Sequence, residues 1–222
     1  EVIFGGNDSI VGTDGDDVLF GYAGDDTIEG GAGNDSLFVY QGWDDRDDDS
    51  IDVLRGGSGD DHYWVSSSRN PHSVSVITEE AGDGNDKVTF AVAGNNRYFL
   101  PAEIEQLDIE FHSGDPVVLG SGNVLDNVIQ ISSAPGERAY GFLVGRAGND
   151  TLIGGNGDDI LIGDSGADRL AGGNGSDVYK VDRVGDVVVE TTPGHIGGLD
   201  TVESTAISYR LSPNVENLWL QG

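Results

Sequence analysis

The sequence predicts an all-β chain wound as a parallel coil of short strands. Three observations carry that expectation. Aspartate recurs at every ninth residue, an aliphatic or tyrosine side chain stands two places after it, and glycines fill the places before it. The unit has nine positions, with Asp at six and the apolar residue at eight. A first array reads 3–11 (IFGGNDSIV), 12–20 (GTDGDDVLF), 21–29 (GYAGDDTIE) and 30–38 (GGAGNDSLF). Its position-six residues are Asp8, Asp17, Asp26 and Asp35, and its position-eight residues are Ile10, Leu19, Ile28 and Leu37. A second array reads 145–153 (GRAGNDTLI), 154–162 (GGNGDDILI), 163–171 (GDSGADRLA) and 172–180 (GGNGSDVYK). It places Asp150, Asp159, Asp168 and Asp177 at six, and Leu152, Leu161, Leu170 and Tyr179 at eight.

Weaker copies flank these arrays. GGSGDDHYW (56–64) keeps Asp61 and Tyr63, and DDDSIDVLR (47–55) keeps Asp52 and Leu54 without the glycines. VYQGWDDR (39–46) is one residue short of a unit and is expected to bulge. AGDGNDKVT (81–89) stands alone with Asp86 and Val88. GNVLDNVIQ (122–130) has Asn127 at six, and GERAYGFLV (136–144) has Gly141 there, which supplies no carboxylate.

Each part of the unit has a physical reason. Glycine at one, two and four permits φ > 0 and close backbone approach, so the first six residues can turn tightly. The last three alternate polar, apolar, polar, which is a short strand with one inward side chain. Two units make one coil of 18 residues, and strands of successive coils pair in parallel. The core is then only a stack of position-eight side chains, thin against an ordering cost of about 1–2 kcal/mol per residue.

Charge sharpens the problem. The 222 residues include 40 Asp plus Glu against 11 Lys plus Arg, a formal net charge of −29. That balance disfavours nucleic acid, whose phosphates demand Lys and Arg, and anionic membrane surfaces. It favours cations. Acidic, glycine-rich chains tend to disorder, and that is the expected state without a cation. Ca²⁺ would neutralise the aspartates and tie the turns together, since it takes six to eight hard oxygen ligands. Turns on one side of the coil lie two units apart, so Asp8 is expected over Asp26, Asp17 over Asp35, Asp150 over Asp168 and Asp159 over Asp177. The Ca²⁺ expectation extends to Asp52, Asp61 and Asp86 in the weaker copies.

The sequence contains no cysteine, which excludes disulfides and thiolate metal sites. No signal peptide is visible, and no apolar run approaches the ~20 residues of a membrane span. The chain opens inside a repeat and closes at NLWLQG, so it is expected to be a piece of a longer protein.

These units resemble the RTX (repeats-in-toxin) family, whose signature is G-G-x-G-x-D-x-U-x. The strong likeness covers 3–38, 56–64 and 145–180. It implies a β-roll in which one turn gives carbonyls from positions two and four plus its Asp. The turn two units on gives carbonyls from one and three plus its own Asp. Carried over, one site would use Phe4, Gly6, Asp8, Gly21, Ala23 and Asp26, and the next Thr13, Gly15, Asp17, Gly30, Ala32 and Asp35. In the second array the sites would use Arg146, Gly148, Asp150, Gly163, Ser165 and Asp168, then Gly155, Gly157, Asp159, Gly172, Asn174 and Asp177. Ile3 at position one and the lost glycines of 39–55 depart from the signature. The resemblance also implies a secreted bacterial protein exported by type I secretion.

A longer repeat overlies the short one. Asp61, Tyr63 and Val65 are followed by VITEE, GNDKV and YFLPAEIEQLDI; Asp177, Tyr179 and Val181 by VVVET, GLDTV and YRLSPNVENLWL. Tyr98, Leu100, Glu105, Leu107 and Ile109 each lie 111 residues before Tyr209, Leu211, Glu216, Leu218 and Leu220. The expected organisation is a first β-roll at 1–64, a β-rich cap or spacer at 65–121, a second β-roll at 122–180 and a truncated β-rich cap at 181–222. The caps would cover the open ends that solenoids must protect. Two separate rolls are expected, not one continuous solenoid.

No catalytic role is expected. The histidines are His62, His72, His112 and His195, with no H-E-x-x-H and no G-x-S-x-G. DDRDDDSID (44–52) does not fit an EF-hand, because residue 56 is Gly where that loop needs Glu. Asp115-Pro116 matches the dipeptide at which some RTX proteins cleave themselves. The expected function is a calcium-binding module that folds on Ca²⁺ binding outside the cell, aiding secretion and stabilisation of a larger protein. The alternative is a calcium-dependent module for a polysaccharide or cell surface, as in an adhesin or polysaccharide-modifying enzyme. Tyr22, Trp43 and Trp64, placed outward by the register, would favour that alternative.

Overall fold

The computed structural model describes residues 6–39, 50–66, 75–92, 94, 96–111, 114, 116–133, 136–191, 197–206 and 208–221. Among the described residues there is no helix. The chain divides into two compact units, Glu1–Ala93 with Pro101–Gln106, and Gly94–Leu100 with Leu107–Gly222. Each is a parallel β-solenoid.

In the first unit the chain alternates between two sheets. One holds β1 (Ser9–Val11), β3 (Thr27–Ala32), β5 (Val53–Ser58) and β7 (Val76–Ile77). The other holds β2 (Val18–Phe20), β4 (Ser36–Phe38), β6 (His62–Ser66) and β8 (Lys87–Val92), each paired in parallel with the next. Register joins equivalent positions: Ile10 to Ile28 to Leu54, and Leu19 to Leu37 to Tyr63 to Val88.

The second unit repeats the plan. One sheet runs β9 (Asn96–Phe99), β11 (Val117–Ser121), β13 (Tyr140–Ala147), β15 (Ile160–Ser165), β17 (Val178–Val181), β19 (Thr201–Ser204) and β20 (Asn217–Leu220). The other runs β10 (Gln106–Phe111), β12 (Val128–Ser133), β14 (Thr151–Asn156), β16 (Arg169–Asn174) and β18 (Val187–Val188).

Position eight forms the core, as the alternation requires. Ile28, Leu37, Leu54, Tyr63, Leu152, Leu161, Leu170 and Tyr179 are fully buried. Ile10 and Leu19 are only half-buried. The segment 65–121, expected as a cap or spacer, supplies β7 and β8 to the first unit and β9 to β11 to the second. β7 pairs in parallel with β5, and β9 with β11. Segment 181–222 likewise supplies β18, β19 and β20, in parallel with the strands before them. These segments are solenoid coils, not plugs laid across a roll. Their apolar residues alternate like those of the arrays, which gives them the same inward row. Insertions lengthen the coils: equivalent residues lie 26 apart from Asp35 to Asp61 and 23 apart from Asp177 to Asp200, against 18 within the arrays. The short unit at 39–46 lies outside the described residues apart from Val39.

Position two is left-handed in most of the glycine-rich repeats of both units, though not at Thr13. Gly31, Gly57, Gly155 and Gly173 have φ between 96° and 117° there. Tyr22, Arg146 and Asp164 occupy the same place with φ of 64°, 81° and 60°. A side chain in this region costs about 1–2 kcal/mol. Asp164 is exposed and adds a negative charge near Asp150 and Asp182. Asp164→Gly is therefore expected to raise Tm by about 2–4 °C, the shift about 1 kcal/mol gives in a domain of this size. Thermal denaturation in saturating Ca²⁺ checks it; an unchanged or lower Tm would show that the left-handed strain is not felt.

Candidate metal sites

The position-six aspartates stack into rows, one coil above another. In each row the carboxylate of one coil accepts a hydrogen bond from the backbone N–H of position six in the coil before. In the first unit Asp8 N donates to Asp26 Oδ1 at 2.8 Å, and Asp26 N to Asp52 Oδ1 at 3.0 Å. On the opposite side Asp17 N donates to Asp35 Oδ1, Asp35 N to Asp61 Oδ1 and Asp61 N to Asp86 Oδ1, all at 2.7–2.8 Å. In the second unit Asn127 N donates to Asp150 Oδ1 and Asp150 N to Asp168 Oδ1, at 2.7 and 2.9 Å. Opposite them Gly141 N donates to Asp159 Oδ1 at 2.5 Å and Asp159 N to Asp177 Oδ1 at 2.8 Å. All four expected Asp pairs are therefore adjacent, and Asp52, Asp61 and Asp86 join the rows.

Three of the four rows end on residues the nine-residue spacing does not mark. Asp168 N donates to Asp186 Oδ1 at 3.2 Å, and Asp177 N to Asp200 Oδ1 at 2.9 Å. Asp86 N donates to Glu105 Oε2 at 2.8 Å, and Asp200 N to Glu216 Oε2 at 2.9 Å. Glu105 and Glu216 are the acids related by the 111-residue repeat. A signal for all of them is present in the sequence: an acid two places before an inward apolar residue, as in Asp186-x-Val188, Asp200-x-Val202, Glu105-x-Leu107 and Glu216-x-Leu218.

One carboxylate oxygen of each pair is spoken for, while the other often is not. Oδ2 of Asp8, Asp35, Asp61, Asp150, Asp159, Asp168 and Asp177 is buried and has no hydrogen-bond partner. A buried, unpartnered polar atom costs on the order of 1–3 kcal/mol, more when charged. The position-one glycine explains the space around it. A Cβ on Gly30, Gly145, Gly154, Gly163 or Gly172 would collide with the Asp Oδ2 of the same repeat. Asp17 differs. Its Oδ2 accepts the N–H and the hydroxyl of Thr13, at 2.6 and 2.8 Å.

The expected carbonyl donors line the same turns. The carbonyl groups of Thr13, Gly148, Gly155 and Gly157 press on the glycine of the following coil so closely that a Cβ there would overlap them. Gly6 and Gly15 press on Gly24 and Gly33 in the same way. The carbonyls of Ala23, Ser165 and Asn174 each accept an N–H, from Gly6, Gly148 and Gly157. Ala32 donates its N–H to the Thr13 carbonyl at 3.3 Å. Gly21 sits over the Asp26 carboxylate. Arg146 directs its guanidinium to Ser121 Oγ at 2.7 Å and over the Phe99 ring. Phe4 lies outside the described residues, as do Trp43, His72, His112, Asp115 and His195.

Burial drives the carboxylates toward their protonated forms, with neighbouring carboxylates adding to the effect and backbone N–H groups opposing it. Asp61 and Asp86 are pushed up to about 6, Asp150 and Asp159 to about 7, and Asp177 to about 8. Rows of buried acids with oxygen-only surroundings match a hard divalent cation and not a thiolate or imidazole metal.

The outward aromatics stack on one another. Phe20, Phe38 and Trp64 lie ring on ring with centroids 4.8 and 5.5 Å apart, and Tyr22 stacks on Phe20 at 5.9 Å. Their faces are spent on each other as cross-strand pairs. His62 meets Thr89 Oγ1 at 2.8 Å and packs on Trp64.

Parallel coils with buried acidic turns define a class of repetitive, acid-lined solenoids. Residues 3–37, 46–67 and 144–179 match the family model of the RTX calcium-binding nonapeptide repeat, in four copies. These segments therefore carry RTX-type calcium-binding nonapeptide repeats. No curated protein matches the chain.

Proposed function

We propose that the chain is a calcium-binding module of a larger secreted bacterial protein, folding on Ca²⁺ outside the cell and thereby aiding export and stabilising its parent. The observation that carries this is the row of buried aspartate oxygens without partners, Asp8, Asp35, Asp61, Asp150, Asp159, Asp168 and Asp177. A cation between neighbouring coils would satisfy them. The ligands would be these aspartates with Asp26, Asp52 and Asp86, and the turn carbonyls of Phe4, Gly6, Gly21 and Ala23, of Gly30 and Ala32, of Arg146, Gly148, Gly163 and Ser165, and of Gly155, Gly157, Gly172 and Asn174. At the Thr13, Gly15 and Asp17 turn, Ca²⁺ would have to displace the Thr13 contacts. The coils of 65–121 and 181–222 would serve as low-metal ends for the two acidic arrays.

Extracellular Ca²⁺ modules bind at about 10⁻⁴–10⁻³ M. That range keeps the chain unloaded inside a cell and loaded outside. Equilibrium dialysis against Ca²⁺ is the test. Uptake of several ions per chain with midpoints in that range is expected. No uptake at 10 mM Ca²⁺, about tenfold above that range, would overturn the proposal.

A further inference from the structure

We propose that the second array closes on a cation site of a different make, formed by Asp177, Glu190 and Asp200. It rests on the calcium-binding reading above but uses two acids outside the nonapeptide units. One carboxylate oxygen from each of the three lies within 4.8 Å of the others. All three residues are buried: Asp177 is 0%, Asp200 1% and Glu190 7% exposed. Asp177 Oδ2 and Glu190 Oε2 are buried and unpartnered. Three carboxylates thus share one enclosed space with two oxygens left over.

The surroundings fix Glu190 there. The backbone N–H groups of Gly172 and Gly173 favour its charged form. The Tyr179 hydroxyl donates to Glu190 Oε1 and accepts from Gly172 N at 2.9 Å. Glu190 therefore occupies a place over the position-one glycine of the last full repeat. Asp200 arrives on the next coil, where its Oδ1 accepts from Asp177 N. The charged groups acting on Asp177 are themselves acids, Asp159, Asp200 and Glu190. A single proton would leave this cluster strongly negative. A divalent ion would balance it, and an all-oxygen donor set selects a hard ion of the Ca²⁺ type.

The first unit places the corresponding glutamate against the corresponding glycines after its last full repeat, without drawing three carboxylates as close together. Glu79 accepts from Gly56 N and Gly57 N at 2.9 and 3.4 Å, and Tyr63 Oη accepts from Gly56 N at 2.6 Å. Asp61 and Asp86 are the charges beside Glu79. The segments VITEE and VVVET recur in the long repeat with this glutamate in place. An ion held this way would clamp a coil without nonapeptide glycines onto the end of the array.

The test uses the whole chain. Equilibrium dialysis at saturating Ca²⁺ should show E190Q binding one ion fewer than the wild type, with its β-type circular dichroism kept. Equal numbers in both would overturn the proposal and leave the calcium-binding reading standing. A wild-type chain that takes up no Ca²⁺ would overturn the reading beneath it. Should E190Q fail to fold, terbium alone serves as the probe on Y179F, because a Tb³⁺ ion in this cluster would draw its emission from the Tyr179 ring. A clear drop in tyrosine-excited Tb³⁺ emission relative to wild type supports the site, and equal emission overturns it.

Discussion

Stripping the chain with EDTA at pH 8 is expected to abolish most of its β-type circular dichroism, and acidification in EDTA is expected to restore part of it. The buried rows hold their carboxylates well above the ordinary range: Asp61, Asp86 and Asp200 at about 6, Asp150, Asp159 and Glu79 at about 7, and Asp177 at about 8. In the unfolded chain such groups titrate near 4. A folded pKa above the unfolded one contributes stability that is fully present below the unfolded value and is lost as pH rises through the folded value. Metal-free stability should therefore fall between about pH 4 and pH 8, and little of it should remain at pH 8 on a chain of net charge −29. Ca²⁺ competes with the same protons, so its midpoint should move to lower concentration over that window. A β spectrum in EDTA at pH 8 equal to that in Ca²⁺ would rule out this account.

Asp159→Ala should damage more than one coil. Asp159 links its neighbours in both directions, accepting from Gly141 N at 2.5 Å and donating its own N–H to Asp177 Oδ1 at 2.8 Å. The substitution leaves the Gly141 N–H buried without its charged acceptor, a loss of roughly 1.5–3 kcal/mol. If the proposed sites are right, it would also remove a ligand shared between turns, and solenoid stability is close to a sum of nearest-neighbour terms. The Ca²⁺ titration should show both a higher midpoint and a lower Hill slope. Asp17→Ala should do the same more weakly, since Asp17 is half-buried at the first coils and bound to Thr13. An unchanged Hill slope in both variants would mean that the turns do not share ions.

Much of this was legible in the sequence because the repeat is local. Asp at six and an apolar residue at eight set the inward row, and two units of nine set which aspartates meet. Ile10 beside Ile28 and Asp159 beside Asp177 follow from counting two units of nine. The charge of −29 pointed to cations as the partners to expect.

Other features exist only because coils of unequal length stack. The 26-residue step that brings Asp61 over Asp35, and the 23-residue step that brings Asp200 over Asp177, carry insertions of no fixed length. No period predicts them. Glu105 and Glu216 continue the rows from segments that have lost their glycines, so the turn signal was gone although the acid and its inward partner remained. Glu190 is further from view, since it reaches Asp177 from a segment between strands, not from position six. The sequence by itself determined which side chains face inward and which acids form each turn, because those are set by alternation within nine residues. Tertiary structure decided where the rows end and which acids close them, because that depends on the hydrogen bonds between coils, and those ignore the length of chain looped out on the way.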